Sequence, residues 1–322
     1  MSSHVVLSDF HMIDPEHHRQ VLGDDVEVSV AELGSETALV DACRETDADA
    51  VVTDINTPVT AAALAELDLR VVARAAVGYD NIDVESAAAH DVVVTNVPSY
   101  CTDEVATHTV SLLLSCLRAT PTYDRAVRAG DWPATPGRDL HRMRGRTLGF
   151  LSFGAIAQRT AELCSGFGLD FVAHDPYVDD AVLDDHGVER VSLAALYDRA
   201  DYLSVTAPET PETRGMVDSD AFDALDDDTI VVNTGRGAVI DEEALADALR
   251  DGDIAAAGLD VFETEPLPAG SPLRELENAV LSPHAAWCSV EAKAEVNEQT
   301  ASDIKRVLAG DEPTARVEPN WD

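Results

Sequence analysis

The chain holds 322 residues, 45% of them hydrophobic, which is enough for two compact domains rather than one. Its 61 acidic residues against 22 basic ones leave a formal net charge of -39, with Lys293 and Lys305 the only lysines; such a charge repels nucleic acid and anionic membranes. No run approaches the roughly 20 apolar residues of a membrane span, and the N-terminus MSSHVVLSDF lacks the basic start and apolar run of a signal peptide.

Cys43, Cys101, Cys116, Cys164 and Cys288 include no CxxC pair, so they read as free thiols of a reducing, cytoplasmic compartment. The acidic residues are spread between apolar runs along the whole chain, which disfavours an acidic disordered tail as their explanation.

Short runs rich in Val and Ile alternate with Ala-rich amphipathic stretches over the first hundred residues: VVL at 5, VEVSV at 26, AVVTD at 50, RVVARA at 70 and DVVVTN at 91. That alternation predicts a parallel sheet with helices on its faces. Thr102 and Asp103 are placed to cap a long apolar helix, EVATHTVSLLLSCLRA, followed by the polar stretch RAGDWPATPGRDLHRMRG. A second strand and helix series runs from TLGFLSF at 147 to AVLSPHAAW at 279.

A last helix from about Val290 to Leu308 should stop at Gly310 and return to the first domain. The expected fold is therefore α/β with two Rossmann-like, doubly wound parallel sheets. Residues 1–100 with 289–322 are expected to form one discontinuous domain and residues 101–288 a second, with a hinge near 99–103 and 285–289.

TLGFLSFGAIAQRTAELC reads as strand, tight turn and helix, with Ser152, Gly154 and Ala157 in the three positions of a GxGxxG fingerprint. Gly154 would let the backbone approach a pyrophosphate, with Ala155 and Ile156 opening the helix beside it. Ser152 departs from the pattern, because the first position makes the tight turn and a side chain there restricts it. The next strand, LDFVAHDPY, ends in Asp175. A carboxylate there binds a ribose 2′-hydroxyl and repels a 2′-phosphate, favouring NAD over NADP. Taken singly, Asp175 reads equally as a turn residue before Pro176 and Gly154 as an ordinary helix-start glycine; it is their spacing within one β-α-β unit that favours the dinucleotide.

Three later segments carry the chemistry: VVNTGRGAVIDEEAL at 231, AGLDVFETEP at 257 and VLSPHAAW at 280. With RAAVGYDNID at 74 and NVPSYCTDEVA at 96, they resemble the D-2-hydroxy acid dehydrogenase family. HAAW and RVLAG look like its C-terminal-binding-protein branch. The resemblance implies that Arg236 is the substrate arginine, Glu265 the acid and His284 the histidine of hydride and proton transfer.

The chemistry explains such a set. Oxidising a secondary alcohol leaves a proton to remove, and histidine titrates nearest neutrality. A carboxylate orients the imidazole and stabilises its charged form, and an arginine fork clamps a carboxylate. Each residue alone also has a bland reading: a solvated Glu, a core or capping His, a turn Arg between glycines.

The same resemblance implies that Asp260 meets the nicotinamide carboxamide and that Ala207, Pro208, Thr234 and Gly235 approach the cofactor by backbone. At Thr206 the family usually shows a histidine. The backbone amides of Val77 and Gly78 would hold the substrate carboxylate and Arg74 would line its pocket, although Arg74 would equally pair with surface acids. Trp287 would floor the pocket or act as a core aromatic.

The implied protein is a cytoplasmic homodimer, joined through the cofactor domain near the 103–118 helix, that binds NAD and a small 2-keto or 2-hydroxy acid. No nucleic acid, membrane or metal is expected. The acid-rich composition resembles that of haloarchaeal proteins. Two alternatives compete with this reading. One is an NAD(H)-sensing, corepressor-like paralogue, suggested by the branch and by Ser152. The other is oxidation of a small anion such as formate, whose enzymes carry an amide where Glu265 stands.

Overall fold

The Val-rich runs of the first hundred residues become strands β1 (Ser3–Ser8), β2 (Val26–Ala31), β3 (Ala50–Thr53), β4 (Val71–Arg74) and β5 (Val93–Thr95) in the computed structural model, which describes residues 3–319. All pair in parallel in the order β2-β1-β3-β4-β5. Val5, Val6, Val51, Val52, Val71 and Val72 are wholly buried, as expected where helices cover both faces of a parallel sheet.

Helices α1 (Pro15–Leu22), α2 (Glu36–Thr46), α3 (Ala61–Glu66) and α4 (Val84–Ala89) begin at Asp14, Ser35, Thr60 and Asp83. Each of these accepts first-turn N–H groups through its side chain.

The terminal helix Val290–Ala309 belongs to this first unit, which comprises the described residues through Cys101 and those from Cys288 onward. Gly310 ends it at φ 85°. Buried polar contacts fix it against α1: Asn297 Oδ1 accepts from Asp14 N at 2.6 Å, and Asn297 Nδ2 donates to Met12 O at 2.9 Å. His18, fully buried, meets Thr300 Oγ1 at 3.1 Å; burial pushes its imidazole pKa down, so it is the neutral ring that is packed.

The second unit, Thr102–Trp287, carries strands β6 (Thr147–Leu151), β7 (Asp170–His174), β8 (Val188–Arg190), β9 (Tyr202–Val205), β10 (Ile230–Asn233), β11 (Ala256–Leu259) and β12 (Ala279–Leu281). Their parallel order is β12-β11-β10-β9-β6-β7-β8. The chain winds outward from β6 through β8, then restarts on the other side of β6 at β9. That reversal places the topological switch point at the carboxyl ends of β6 and β9, where such sheets bind ligands.

Helices α5 (Thr102–Arg118), α6 (Thr120–Ala129), α7 (Ala155–Cys164) and α8 (Asp180–Asp185) are followed in chain order by α9 (Leu193–Arg199), α10 (Ser219–Ala224) and α11 (Glu242–Asp251). Phe150, Phe153, Leu112 and Cys164 fill one core; Leu203, Val231, Leu245 and Phe222 fill another. Burial pushes the Cys43 and Cys116 thiols up to about 12, so neither supplies a thiolate at neutral pH.

One local expectation is corrected and one element was not anticipated. Thr102 and Asp103 lie in the first turn of α5 instead of capping it from outside. Residues 120–129 form a further helix, α6, which starts after Ala119 turns left-handed at φ 49° and carries Pro121 in its first turn, where proline needs no N–H partner.

Candidate active site

The β6–α7 turn carries the dinucleotide fingerprint. Ser152 adopts φ 74°, the left-handed backbone that explains why glycine is usual at this position. Its side chain is not turned toward the mouth of the helix: Oγ donates to Asp175 Oδ2 at 3.2 Å, alongside Phe153 N at 2.8 Å. Asp175 Oδ1 accepts from Tyr177 N and Val178 N. Burial alone would raise the Asp175 carboxyl, but these three backbone donors and the Ser152 hydroxyl outweigh it and hold the group below its usual range. Asp175 therefore stays ionised at the end of β7.

Gly154 caps α7 with no side chain reaching back to the first turn, unlike the acidic and hydroxyl caps of the first unit. A Cβ on Gly154 would stand in open space, and Ala155 and Ile156 open the helix behind it. An uncapped helix start beside open space suits a pyrophosphate, so these residues fit a dinucleotide. Across the switch point, Thr206 Oγ1 donates to Ser152 O at 3.3 Å. The two positions that depart from the family pattern thus touch. Ala207 and Pro208 follow β9, with Pro208 O accepting from Thr213 Oγ1 at 2.6 Å.

The loop after β10 is shaped by a residue to which the sequence reading gave no role. Asn233 Oδ1 accepts from Gly235 N, and its Nδ2 donates to Arg236 O, each at 3.0 Å. Thr234 Oγ1 meets Thr109 Oγ1 of α5 at 2.7 Å. Gly235 packs on the 206–207 backbone, where a Cβ would come within 2.9 Å of Ala207 O. Gly237 packs harder still, since a Cβ there would lie 1.9 Å from the carbonyl carbon of Phe262. Arg236 therefore sits one residue from the point where its loop presses against the loop carrying Glu265. Its Nη1 donates to Gly235 O at 3.0 Å.

After β11, Asp260 is almost wholly buried. Its Oδ1 accepts from Ser282 Oγ at 2.6 Å and Ala285 N at 3.0 Å, and its Oδ2 accepts from Ala286 N at 2.9 Å. His284 N donates to Asp260 O at 2.7 Å. Asp260 is thus the anchor of the turn bearing His284, a role beyond the cofactor contact expected of it. Behind it, His108 Nε2 reaches Ser282 Oγ at 2.9 Å. Because the Ser282 hydroxyl proton goes to Asp260, His108 must donate from Nε2.

His284 Nδ1 lies 2.7 Å from Glu265 Oε2, and Phe262 N donates to Glu265 Oε1 at 2.9 Å. Burial pushes the Glu265 carboxyl up, but the His284 hydrogen bond and charge and the Phe262 N–H outweigh burial and the opposing Asp260 charge; the net direction is downward. An ionised Glu265 can only accept, so Nδ1 carries a proton and Nε2 is the nitrogen free to exchange one. His284 holds φ 52°, and Trp287 Nε1 donates to His284 O at 3.0 Å, tying the indole to the strained turn. The structure brings Glu265, His284, Asp260 and Trp287 together, and the Arg236 loop packs through Gly237 on the backbone of the loop carrying Glu265.

Arg74, Val77 and Gly78 lie in the first unit, after β4. Arg74 Nε donates to Gly78 O at 2.8 Å, and Asn96 Nδ2 donates to Val77 O at 2.7 Å. Arg74 is buried, which rules out the surface pairing considered for it.

The profile of the family described as "D-isomer specific 2-hydroxyacid dehydrogenase, NAD binding domain" matches residues 110–286. The chain belongs to this family. The D-3-phosphoglycerate dehydrogenase of Mycobacterium tuberculosis is 40% identical over 293 residues, covering 90% of this chain and 54% of that protein. This dehydrogenase-family chain therefore spans about half the length of those relatives. A glyoxylate reductase of Korarchaeum cryptofilum is 38% identical over 277 residues, covering 84% and 82% of the two chains. Among solved structures, the holo form of D-mandelate dehydrogenase from Rhodotorula graminis superposes with a TM-score of 0.86 at 29% identity over 98% of both chains. The second unit is accordingly the family's NAD-binding domain, and NAD its cofactor.

Two substitutions test the local geometry. Ser152→Ala should lower stability by about 1 kcal/mol, because Ala keeps the left-handed strain and loses the bond to Asp175. Ser152→Gly should stay near wild type in a thermal melt, since relief of that strain offsets the lost bond and the freer unfolded chain. Gly237→Ala must displace the Phe262 backbone and with it Glu265. Its kcat should fall on the order of 100-fold while the protein still melts cooperatively; wild-type kcat would show that the close approach is not needed.

Proposed function

We propose that this chain is an NAD-dependent oxidoreductase that interconverts a D-2-hydroxy acid and its 2-keto acid, with His284 as general acid and base. The observation that supports it most is the 2.7 Å contact of His284 Nδ1 with an ionised Glu265, on the loops that follow adjacent strands of an NAD-binding domain.

Bound nicotinamide supplies or accepts the hydride. His284 Nε2 gives a proton to the carbonyl oxygen in reduction and takes it from the hydroxyl in oxidation. Glu265 keeps Nδ1 protonated and stabilises the imidazolium. Arg236 orients the substrate carboxylate and polarises the keto oxygen. Gly154, Ala155 and Ile156 receive the pyrophosphate and Asp175 the adenosine ribose, while Ser152, Ala207, Pro208, Thr234, Gly235 and Asp260 line the remaining length. The backbone amides of Val77 and Gly78 receive the substrate carboxylate, a role supported by a loop whose carbonyls are already engaged, and Arg74 lines the substrate pocket. Trp287, fixed through its N–H, offers its ring to an apolar substrate side chain.

The substrate is a small 2-keto acid of the kind implied by the named relatives, and the HAAW run supports a reading nearer the C-terminal-binding-protein branch. The charge of -39 suits a cytoplasm of concentrated salt, which screens self-repulsion over a few ångströms.

The test is NADH oxidation with glyoxylate and with 2-keto acids of larger apolar side chains, in high salt, with 3-phosphoglycerate and NAD for the reverse direction. Wild type should turn over at least one. His284→Asn should lose 100- to 10,000-fold in kcat, the range of general acid–base catalysis, and Glu265→Gln about 100-fold. Reduction needs the imidazolium, so its rate should fall as pH rises through the pair's apparent pKa. Oxidation needs the neutral ring and should rise. NADH binding without turnover of any acid would favour a sensor instead.

We also propose a homodimer joined through the NAD-binding domain. Trp132, 89% exposed after α6, and exposed Val127 of α6 present apolar surface on the NAD-binding domain. Gel filtration should give twice the chain mass of 34.4 kDa, and Trp132→Asp should shift it toward monomer.

A further inference from the structure

Outside the residues already given a role, one carboxylate reaches into the loop that holds the Glu265–His284 pair. Glu242 opens α11, and its Oε1 accepts the N–H of Glu263, two residues before Glu265. The 261–265 loop is thus held from two sides. Gly237 presses on Phe262 from the β10 loop, and Glu242 takes the next amide from the start of the following helix. Phe262 N and Glu263 N are consecutive donors, one given to Glu265 itself and the other to Glu242.

We propose that Glu242 is a positioning residue of the proton-transfer site: it fixes the loop that presents Glu265 to His284, and its negative charge adds to that of Glu265 in favouring the protonated imidazole. This rests on the role proposed for His284.

The titratable and charged groups on the elements packed here are Glu242 of α11, Glu263 and Glu265 of the loop after β11, Asp260 just past β11, His108 of α5 with Nε2 3.6 Å from Asp260 Oδ1, His284 of the loop after β12, and Arg236 on the loop after β10. The four carboxylates outnumber the single arginine, so an added negative charge bears on a site already rich in acids. The Glu242 carboxyl responds accordingly: burial pushes it up first, and the facing Glu263 and Glu265 charges push it further, against the Glu263 N–H that lowers it. A carboxylate kept in that setting while its helix start has a separate cap in Asp241, whose side chain accepts from Glu243 N and Ala244 N, is not there to cap the helix.

Two properties of Glu242 can be separated. Glu242→Gln keeps an oxygen that accepts from Glu263 N but removes the charge, whereas Glu242→Ala removes both. The readout is the titration of the His284 ring in the full-length protein by NMR, its resonance assigned by its loss in His284→Asn, together with the pH dependence and kcat of keto-acid reduction.

Removing a neighbouring negative charge lowers the proton affinity of the pair. Both variants should therefore move the His284 midpoint to lower pH by several tenths of a unit, and the alkaline loss of reduction should move with it. Only Glu242→Ala should also lose kcat, on the order of tenfold, with KM for the keto acid little changed, and Glu242→Gln should recover most of that loss. An unmoved midpoint in Glu242→Gln, or equal kcat losses in the two variants, overturns the proposal. The titration needs no substrate: a shifted midpoint in a protein that reduces no keto acid would leave the Glu242 coupling standing while the proposed activity fails.

Discussion

The buried carboxylate of Asp260 holds the rest of the site in place. His284 sits at φ 52°, a left-handed conformation that costs a non-glycine residue on the order of 1 kcal/mol or more, so the turn must be determined from outside. Asp260 does this with its whole length. Its carbonyl takes His284 N, and its carboxylate takes the next two amides and the Ser282 hydroxyl. Charge-assisted bonds of this kind are each worth more than a neutral one, and together they exceed the strain. The imidazole is then aimed by the backbone, and Glu265 has only to meet it. A loop held by Glu265 alone would leave the ring free to turn with its own φ.

The same economy governs the turn after β6, at the same carboxyl end of the sheet. Ser152 is held left-handed by contacts on both sides of its peptide: its amide bonds to His174 O, its carbonyl accepts Thr206 Oγ1, and its hydroxyl reaches Asp175. The expectation that a side chain at this position would restrict the turn is met by a side chain that joins it. The hydroxyl adds a donor to Asp175, and by helping keep that carboxyl ionised it strengthens the repulsion of a 2′-phosphate.

Much of this was legible in the sequence, for reasons that differ by element. The parallel sheets followed from Val-rich runs alternating with amphipathic stretches, because strands buried on both faces need unbroken apolar residues. The terminal helix was readable to within a residue at its end, because Gly310 supplies a left-handed stop. The pairing of His284 with Glu265 was an expectation from motif order that the coordinates bring to 2.7 Å.

What was not legible is what needs three dimensions. Asn233, His108, Ser282 and Glu242 act through residues remote in sequence or by taking backbone groups whose direction no pattern reveals. Helix α6 escaped because its TPTYDRAV start mixes a proline with polar residues and lacks a clear apolar stripe; its Pro121 signals a helix start only once Ala119 is known to have turned.

The charge of -39 and the His284–Glu265 contact act on different length scales, which is why one does not undo the other. A field from dozens of surface carboxylates is long-ranged and falls away within about 8 Å at physiological ionic strength and about 3 Å at 1 M. Most arginine–carboxylate pairs here are well exposed, among them Arg44 with Glu66 and Arg199 with Glu189, so salt weakens them too. The His284–Glu265 contact, at 2.7 Å and with each side chain 30% exposed, lies inside even the shorter distance. Salt therefore acts mainly on the long-range repulsion of anions by the net charge, and little on this short contact. A chain can accumulate surface acids without retuning its active site, provided the proton-bearing pair stays in direct contact.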